Sequence, residues 1–448
     1  MIRRTLLEWK ALRYGEGDDC IPEHAADRLA AVARSCPLGG EGGSRILSHG
    51  RKEIRAGQVV GVLAAEGCAL EILPKIDFPE RAGEGPIANT RRQLVHMLAV
   101  ALDLEVAAGS LTDLGWQREN LLEILIGLFA RKLSDAVREG MPRRYVTCEE
   151  DLPVLRGRLD VVRQFTVLTV NPQRLACRYD DLSPDIALNQ VMKAAVSLLA
   201  RVSRSAENQR RLRELAFAYA DITDVPNNAL RWQDIVLDRT NGRWRTLVGL
   251  ARLLLGGRFQ TTSSGAGSGF SLLFEMNTLF EEYISRSLVR GLRGSGLTVH
   301  AQGGRLYCLE EIGSTAPRFM TKPDILVKRG QQVELVIDTK WKRLASRIDD
   351  PKQGVSQGDV YQMMAYGRVY RCPRLALIYP HHAELAEPEG VLARHLITGS
   401  EDELVTATVD ISTGKQLPER LVTIARSMLP EADGGQPEGM QGAFVAAR

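Results

Sequence analysis

The chain contains no run of 18 or more apolar residues, so no membrane-spanning helix is expected. Its start, MIRRTLLEWKALRYGEGDD, turns charged before an apolar signal segment can form, which argues against secretion. The seven cysteines are scattered, and none stands in a C-x-x-C pair. That pattern speaks against a disulfide framework and a zinc site, and reads as reduced thiols in the cytoplasm. The seven histidines do not cluster either, and His381-His382 after Pro380 reads as an exposed turn. No G-x-x-x-x-G-K-[ST] loop is present: the nearest fragment, Gly414-Lys415-Gln416, lacks the earlier glycine and the hydroxyl residue. The chain itself is therefore expected to bind no nucleotide.

What is present is an ordinary globular balance, 44% hydrophobic and 25% charged over 448 residues. That length calls for two or three domains. A formal net charge of +3 allows a nucleic-acid partner without demanding one.

Residues 1–88 read as a β-rich domain. Gly57–Ala64 and Ala69–Ile76 are strand-like runs around Glu66-Gly67, a hairpin signal, and Pro74 puts the second run at a sheet edge or a strand end. Residues 89–262 read as mostly helical. Leu121, Leu125, Leu128 and Phe129 recur at helical spacing, and Gly140 follows as a cap. Short extended pieces are expected around Tyr145–Val146, Leu159–Val162 and Leu175–Tyr179. A long helical stretch is expected from Pro184 to Phe217, with Ser183 as its N-cap. The Gly-, Ser- and Thr-rich residues 256–270 read as a linker. Beyond it, residues 271–430 read as a third domain, beginning with a helix over Leu272–Leu292 and continuing as alternating strands and helices. Residues 431–448 are small and polar, and are expected to be disordered.

The chemistry concentrates at Lys322–Trp341, KPDILVKRGQQVELVIDTKW. Two apolar runs flank Arg329-Gly330-Gln331-Gln332, so the segment reads as a β-hairpin. Strand alternation puts Val336, Asp338 and Lys340 on one side and Leu335 and Ile337 on the other. Asp is disfavoured in strands, and a buried carboxylate costs several kcal/mol unless paired or metal-bound. Two carboxylates brought together, Asp324 and Asp338, repel unless a cation joins them. Magnesium takes one or two carboxylates plus water and phosphate oxygens, and a nearby lysine can orient water and offset transition-state charge.

This P-D…D-x-K arrangement resembles the PD-(D/E)xK nuclease superfamily. The preceding helix carries Glu281 and Glu282, and Glu281, after Phe280, is the candidate for a further acid at the metal. Gln362 and Tyr366 lie four apart in DVYQMMAYGRVY and share a helix face, resembling the Q-x-x-x-Y element of RecB-like nucleases. Gln362 is a candidate for supporting the metal or substrate. Lys342, Arg343 and Tyr366 are candidate DNA contacts, and Trp341 suits either stacking on a base or core packing.

A wider likeness extends over about residues 50–380. Its markers are GVLAAEGCALEILPKI (61–76), EGMPRRY (139–145), LRGRL (155–159), RYDDLSPDIALNQ (178–190), FEMNTLFEEY (274–283), the hairpin, and DVYQMMAY (359–366). In their order and spacing the chain resembles McrC proteins, the nuclease subunits of McrBC modification-dependent restriction systems. The resemblance implies a magnesium-dependent DNA endonuclease, with manganese as an alternative ion. It implies a partner, a GTP-hydrolysing McrB-like AAA+ ring that the N-terminal part docks into and stimulates, and a substrate, double-stranded DNA carrying methylcytosine. Carried over by position, Asp324 and Asp338 hold the metal with Glu281, Lys340 orients water, and Gln362 supports them. The expected fold class is multi-domain α/β (α+β), with a C-terminal mixed sheet flanked by helices. Two other readings stand beside it: a non-cutting activator of a partner NTPase, and a free-standing RecB-like repair nuclease.

Overall fold

The computed structural model describes residues 2–40, 43–75, 85–103, 119–239, 241–256, 269–313, 317–344, 354–385, 387–412, 414 and 416–429. The chain forms two compact units, Met1–Arg286 and Ser287–Arg448.

The first unit opens with strands β1 (Ile2–Leu7), β2 (Ala11–Tyr14) and β3 (Cys20–Ile21) and helix α1 (Glu23–Ser35). Strands β4 (Leu47–His49), β5 (Glu53–Ala56), β6 (Val59–Ala65) and β7 (Cys68–Leu73) follow, then helices α2 (Pro86–Ala101) and α3 (Leu121–Glu139). Next come β8 (Arg144–Leu152), β9 (Arg158–Leu159), the short α4 (Val161–Thr166) and β10 (Leu175–Ser183). Helices α5 (Ala187–Val202), α6 (Ala206–Ala218) and α7 (Arg245–Leu255) precede strand β11 (Phe270–Glu275), and α8 (Met276–Gly291) runs across the division.

The N-terminal part is β-rich as expected. β6 and β7 form the hairpin around Glu66-Gly67, with Gly67 at φ +75. Pro74, which has no N–H to give, comes one residue after the end of β7, an inner strand of the sheet β1-β7-β6-β11. A second sheet, β3-β2-β5-β4, joins it, and α1 buries Leu29, Val32 and Ala33 in the same core as Leu63, Leu70 and Ile72.

The fourth strand of the first sheet corrects the expected start of the third domain. Phe270–Glu275 pairs antiparallel with β6, and the helix begins only at Met276. Residues Phe270 to Phe274 are all buried. A short apolar run covered on both faces carries no period that separates strand from helix. Gly61 admits the neighbour, because a side chain there would stand 2.0 Å from the Leu272 carbonyl oxygen. Residues 271–275 therefore close the N-terminal sheet. Most of the expected linker, 257–268, and the tail 431–448 lie outside the described residues.

The middle region is mostly helical, and its extended pieces are longer than the sequence suggests. β8, β10 and β9 form a three-stranded antiparallel sheet. Val161 and Val162, expected in an extended piece, start α4, capped by Asp160, whose Oδ1 accepts from Arg163 N at 3.0 Å. The stretch 184–217 is two helices. At the break, Ser203 Oγ donates to the buried Glu123 carboxylate at 2.7 Å, and Arg204 N donates to it as well. Ser183 is not the cap: its hydroxyl accepts from Asp185 N, and Ile186 holds the N-cap position.

The second unit contains β12 (Thr298–Ala301), β13 (Tyr307–Glu310), β14 (Pro317–Met320), β15 (Ile325–Arg329), β16 (Gln332–Thr339), α9 (Gln357–Tyr370), β17 (Arg374–Pro380), β18 (Gly390–Leu396), β19 (Glu403–Val409) and α10 (Leu417–Arg426). Six strands form one mixed sheet in the order β12-β15-β16-β17-β19-β18, while β13 and β14 make a separate ribbon. β15 and β16 are the expected hairpin, turned at Gly330 with φ +60. β16 and β17 run parallel, so α9 is the crossover between them. Leu326, Val336, Leu375 and Leu377 pack against Met363, Tyr366 and Tyr370 of that helix. The multi-domain mixed fold expected from the sequence is the one observed. No helix among the described residues is long and apolar enough to cross a membrane.

Candidate active site

The site lies at the C-terminal end of β16, under the first half of α9. Such ends of parallel strands are where α/β sheets open a crevice to ligands. Since Ile325 pairs with Ile337, Asp324 and Asp338 stand at the same end of the hairpin. Asp324 is fixed by Thr339, whose N and Oγ1 donate to Oδ2 at 2.7 and 2.9 Å. Asp338 is only 2% exposed. Its Oδ2 lies 2.7 Å from Lys340 Nζ, a charge contact without hydrogen-bond direction, since that buried atom has no hydrogen-bond partner.

α9 supplies the other wall. Ser356 caps it by accepting from Asp359 N, and Arg371 ends it in the left-handed region at φ 50. Gln362 Oε1 accepts from Lys340 Nζ at 3.2 Å, and Gln362 Nε2 donates to Tyr366 OH at 2.7 Å. Tyr366 OH donates in turn to the Lys322 carbonyl at 3.2 Å. Tyr366 is buried, so it braces Gln362 and offers no ring face to a DNA strand.

The structure thus brings Asp324, Asp338, Lys340, Gln362 and Tyr366 together within the second unit. Lys342 is 47% exposed at its side chain, and Arg343 pairs with Glu384 at 3.6 Å. Trp341 is fully buried and is a packing residue, which leaves base stacking without support. Glu281 is a half-buried residue of α8 in the first unit. His382, read as part of an exposed turn, is instead buried, with a ring nitrogen 3.1 Å from the Leu344 carbonyl oxygen. Burial holds its imidazole below the ordinary histidine range.

Asp359 was missed. It is buried on the first turn of α9, with Oδ1 3.4 Å from Lys340 Nζ and Oδ2 2.9 Å from Lys342 Nζ. The signal was there: Ser356 and Asp359 are spaced as a capping box, which would send the acid back to the cap. The carboxylate also reaches the two lysines.

The electrostatics follow from this packing. Burial pushes the Asp338 carboxyl up, by more than the Lys340 ammonium pulls it down. Burial alone would lower Lys340, but Asp338, Asp359 and Asp324 more than reverse this and keep it protonated. Burial also works to raise Asp359, and hydrogen bonds from Lys342 and Ser356, with the charge of Lys340, overcome it and hold the carboxyl below the usual range.

Among the described residues no group of three or more His, Cys, Asp and Glu side chains is spaced to hold a metal ion. Magnesium needs only one or two carboxylates beside water and phosphate oxygens. A buried Asp338 oxygen lacking a hydrogen bond, next to Asp324, fits that requirement.

The comparisons with known proteins converge on one family. The family model for the McrBC 5-methylcytosine restriction system component matches residues 54–380. A chain of the refined half-complex from a tetradecameric assembly of Thermococcus gammatolerans McrB AAA+ hexamers with bound McrC is similar in fold. It has a TM-score of 0.68 and 22% identity, over 95% of this chain and 100% of its own. A chain of the Thermococcus gammatolerans McrBC complex has a TM-score of 0.52 and 25% identity, over 65% of this chain and 88% of its own. No curated protein matches significantly. On the family match, which spans most of its length, the chain belongs to the McrBC 5-methylcytosine restriction system components.

Proposed function

We propose that this chain is the DNA-cutting subunit of a McrBC-type restriction system, hydrolysing phosphodiester bonds with magnesium in concert with an AAA+ GTPase ring. The observation that carries the reading is the meeting of Asp324, Asp338, Lys340 and Gln362 at one strand end. Asp324 and Asp338 are the residues that would hold the ion, which when bound supplies positive charge at the scissile phosphate and a more acidic water. Lys340 presents a fixed ammonium at the same place, available to orient an attacking water and to offset charge on the phosphate. Gln362, braced by Tyr366, fixes that ammonium from the α9 side. Lys342, more exposed, is available to a neighbouring backbone phosphate.

The partner is assigned by analogy, since McrC is bound to McrB AAA+ hexamers in the related assembly. The resemblance to McrC proteins gives ring binding to the N-terminal part, residues 1–88. Exposed apolar side chains favour a different surface. Val154, Val162, Phe165 and Val170, on and around α4 between β8 and β10, are 70% exposed or more, whereas Trp9 is the one large exposed hydrophobic among described residues 2–75. Apolar side chains gathered at a surface mark protein contacts. Replacing Val162 and Phe165 by Asp is expected to weaken ring binding at least about tenfold, read as the concentration needed to stimulate its GTPase. Unchanged stimulation returns docking to residues 1–88.

The nuclease reading is tested on methylated plasmid with magnesium, a McrB-like ring and GTP. Wild type is expected to nick and linearise it. Asp338→Ala is expected to cut at least about 1,000-fold more slowly while stimulating the GTPase as wild type does. If Asp338→Ala cuts like wild type, the non-cutting activator becomes the better reading.

A further inference from the structure

We infer that Asp359 is a positioning residue of the cutting site, holding Lys340 in its working place from the α9 side; the inference rests on the nuclease reading. An ammonium carries three N–H donors. Around Lys340 Nζ stand three oxygens: Gln362 Oε1, which accepts a hydrogen bond at 3.2 Å, and two carboxylate oxygens in ion-pair contact, Asp338 Oδ2 at 2.7 Å and Asp359 Oδ1 at 3.4 Å. One comes from Lys340's own strand and two from α9, so the ammonium is tied across the strand–helix junction. Without Asp359 the negative charges the structure sets near it among the described residues would be Asp338 and Asp324, the two carboxylates that the nuclease reading assigns to a cation. With Asp324 and Asp338 given to a cation, Asp359 would be the carboxylate that remains to hold the lysine.

The backbone is arranged for this. Lys340 N donates to the Ile378 carbonyl, which keeps Lys340 in register with β17. Lys342 N then donates to the Lys340 carbonyl at 2.9 Å, a tight turn that swings Lys342 back to the same side. Trp341, fully buried, anchors the turn from the other side. Asp359 takes both lysines with its two oxygens, the second at 2.9 Å. Its own position is fixed by its backbone N–H on the Ser356 hydroxyl at 3.2 Å. A merely structural ion pair has no need to involve two lysines flanking a strand end and to stand beside Asp338.

The test uses the full chain with its ring, magnesium and GTP, beside DNA binding measured in EDTA. Asp359→Asn is expected to lower the single-turnover cutting rate about 10- to 100-fold. DNA affinity in EDTA, thermal midpoint and GTPase stimulation should stay near wild type. Asp359→Glu, which keeps the charge one methylene further out, should recover part of the rate. If Asp359→Asn cuts within about twofold of wild type while Asp338→Ala is dead, Asp359 has no such role and the nuclease reading stands. If Asp359→Asn fails to fold, Asp359→Glu decides: slowed cutting at a wild-type thermal midpoint supports the inference, and a wild-type rate overturns it. A wild type that does not cut removes the nuclease reading and this inference with it.

Discussion

Lys340→Met should cut DNA about 100- to 1,000-fold more slowly than wild type, because it removes one preorganised positive charge from where negative charge develops. Methionine keeps most of the aliphatic stem, so the change in volume is small. The same change should move the acid limb of the pH–rate profile. Burial already raises the Asp338 carboxyl, so wild-type cutting should fall on acidification at a higher pH than an exposed aspartate would give. The sign follows from chemistry: holding a cation needs the carboxylate, and protonation removes it. Lys340 is the nearest charge pulling that carboxyl down, so without it the limb shifts to still higher pH. Single-turnover rates from pH 6 to 9 check both points. A variant that cuts within about threefold of wild type, with an unmoved limb, would show that Lys340 is not at the reacting phosphate.

Much of this placement was legible because it is local. Period-two alternation in VELVIDTK put Val336, Asp338 and Lys340 on one face, and Val336 does share the α9 core beside them. The four-residue spacing of Gln362 and Tyr366 put them on one helix face, where their side chains bond at 2.7 Å. Asp359 was not legible for the opposite reason. Its partners, Lys340 and Lys342, are chosen across the strand–helix junction, and from sequence its only visible partner is its own helix cap. β11 was lost to a real ambiguity, since FSLLF fits a buried strand and a helix turn equally well. The extended piece expected around Tyr145–Val146 runs on through the acidic CEEDL as β8. It is carried by its partner: Thr147 bonds Asp180, Glu150 accepts from Tyr179 OH, and Glu149 pairs with Arg178.

LRGRL and EILPKI were markers without a physical job, and the structure supplies one for each. Gly157 sits at φ +71 with the Arg178 carbonyl 2.5 Å from where a side chain would begin, so the loop lies flush on β10. Arg156 then stacks 3.9 Å over the Tyr179 ring and bonds Asp181. Only glycine takes both that backbone and that contact. Arg158 remains without a structural explanation.

In EILPKI the working residue is Glu71, and its loss should cost about 3–5 kcal/mol of stability in Glu71→Ala. The carboxylate is buried and ties four pieces of chain. It accepts from Arg91 Nε and Nη2 on α2 at 2.9 and 2.6 Å, from Leu121 N at the start of α3 at 2.8 Å, and from Thr5 Oγ1 on β1 at 3.1 Å. Truncation takes the Glu71 carboxylate away from the buried Arg91 guanidinium and strips the acceptor from the positive end of α3. The loss is therefore mostly the penalty of a buried charge deprived of this carboxylate rather than the worth of the bonds. Replacing both members, Glu71→Leu with Arg91→Met, should cost less than Glu71→Ala alone, since no charge is then left buried. Urea unfolding followed by far-ultraviolet circular dichroism distinguishes the cases. A Glu71→Ala loss below about 1 kcal/mol would mean that water reaches Arg91 and that the network is peripheral. A double variant worse than either single would mean that the bonds to Thr5 and Leu121 carry the stability instead.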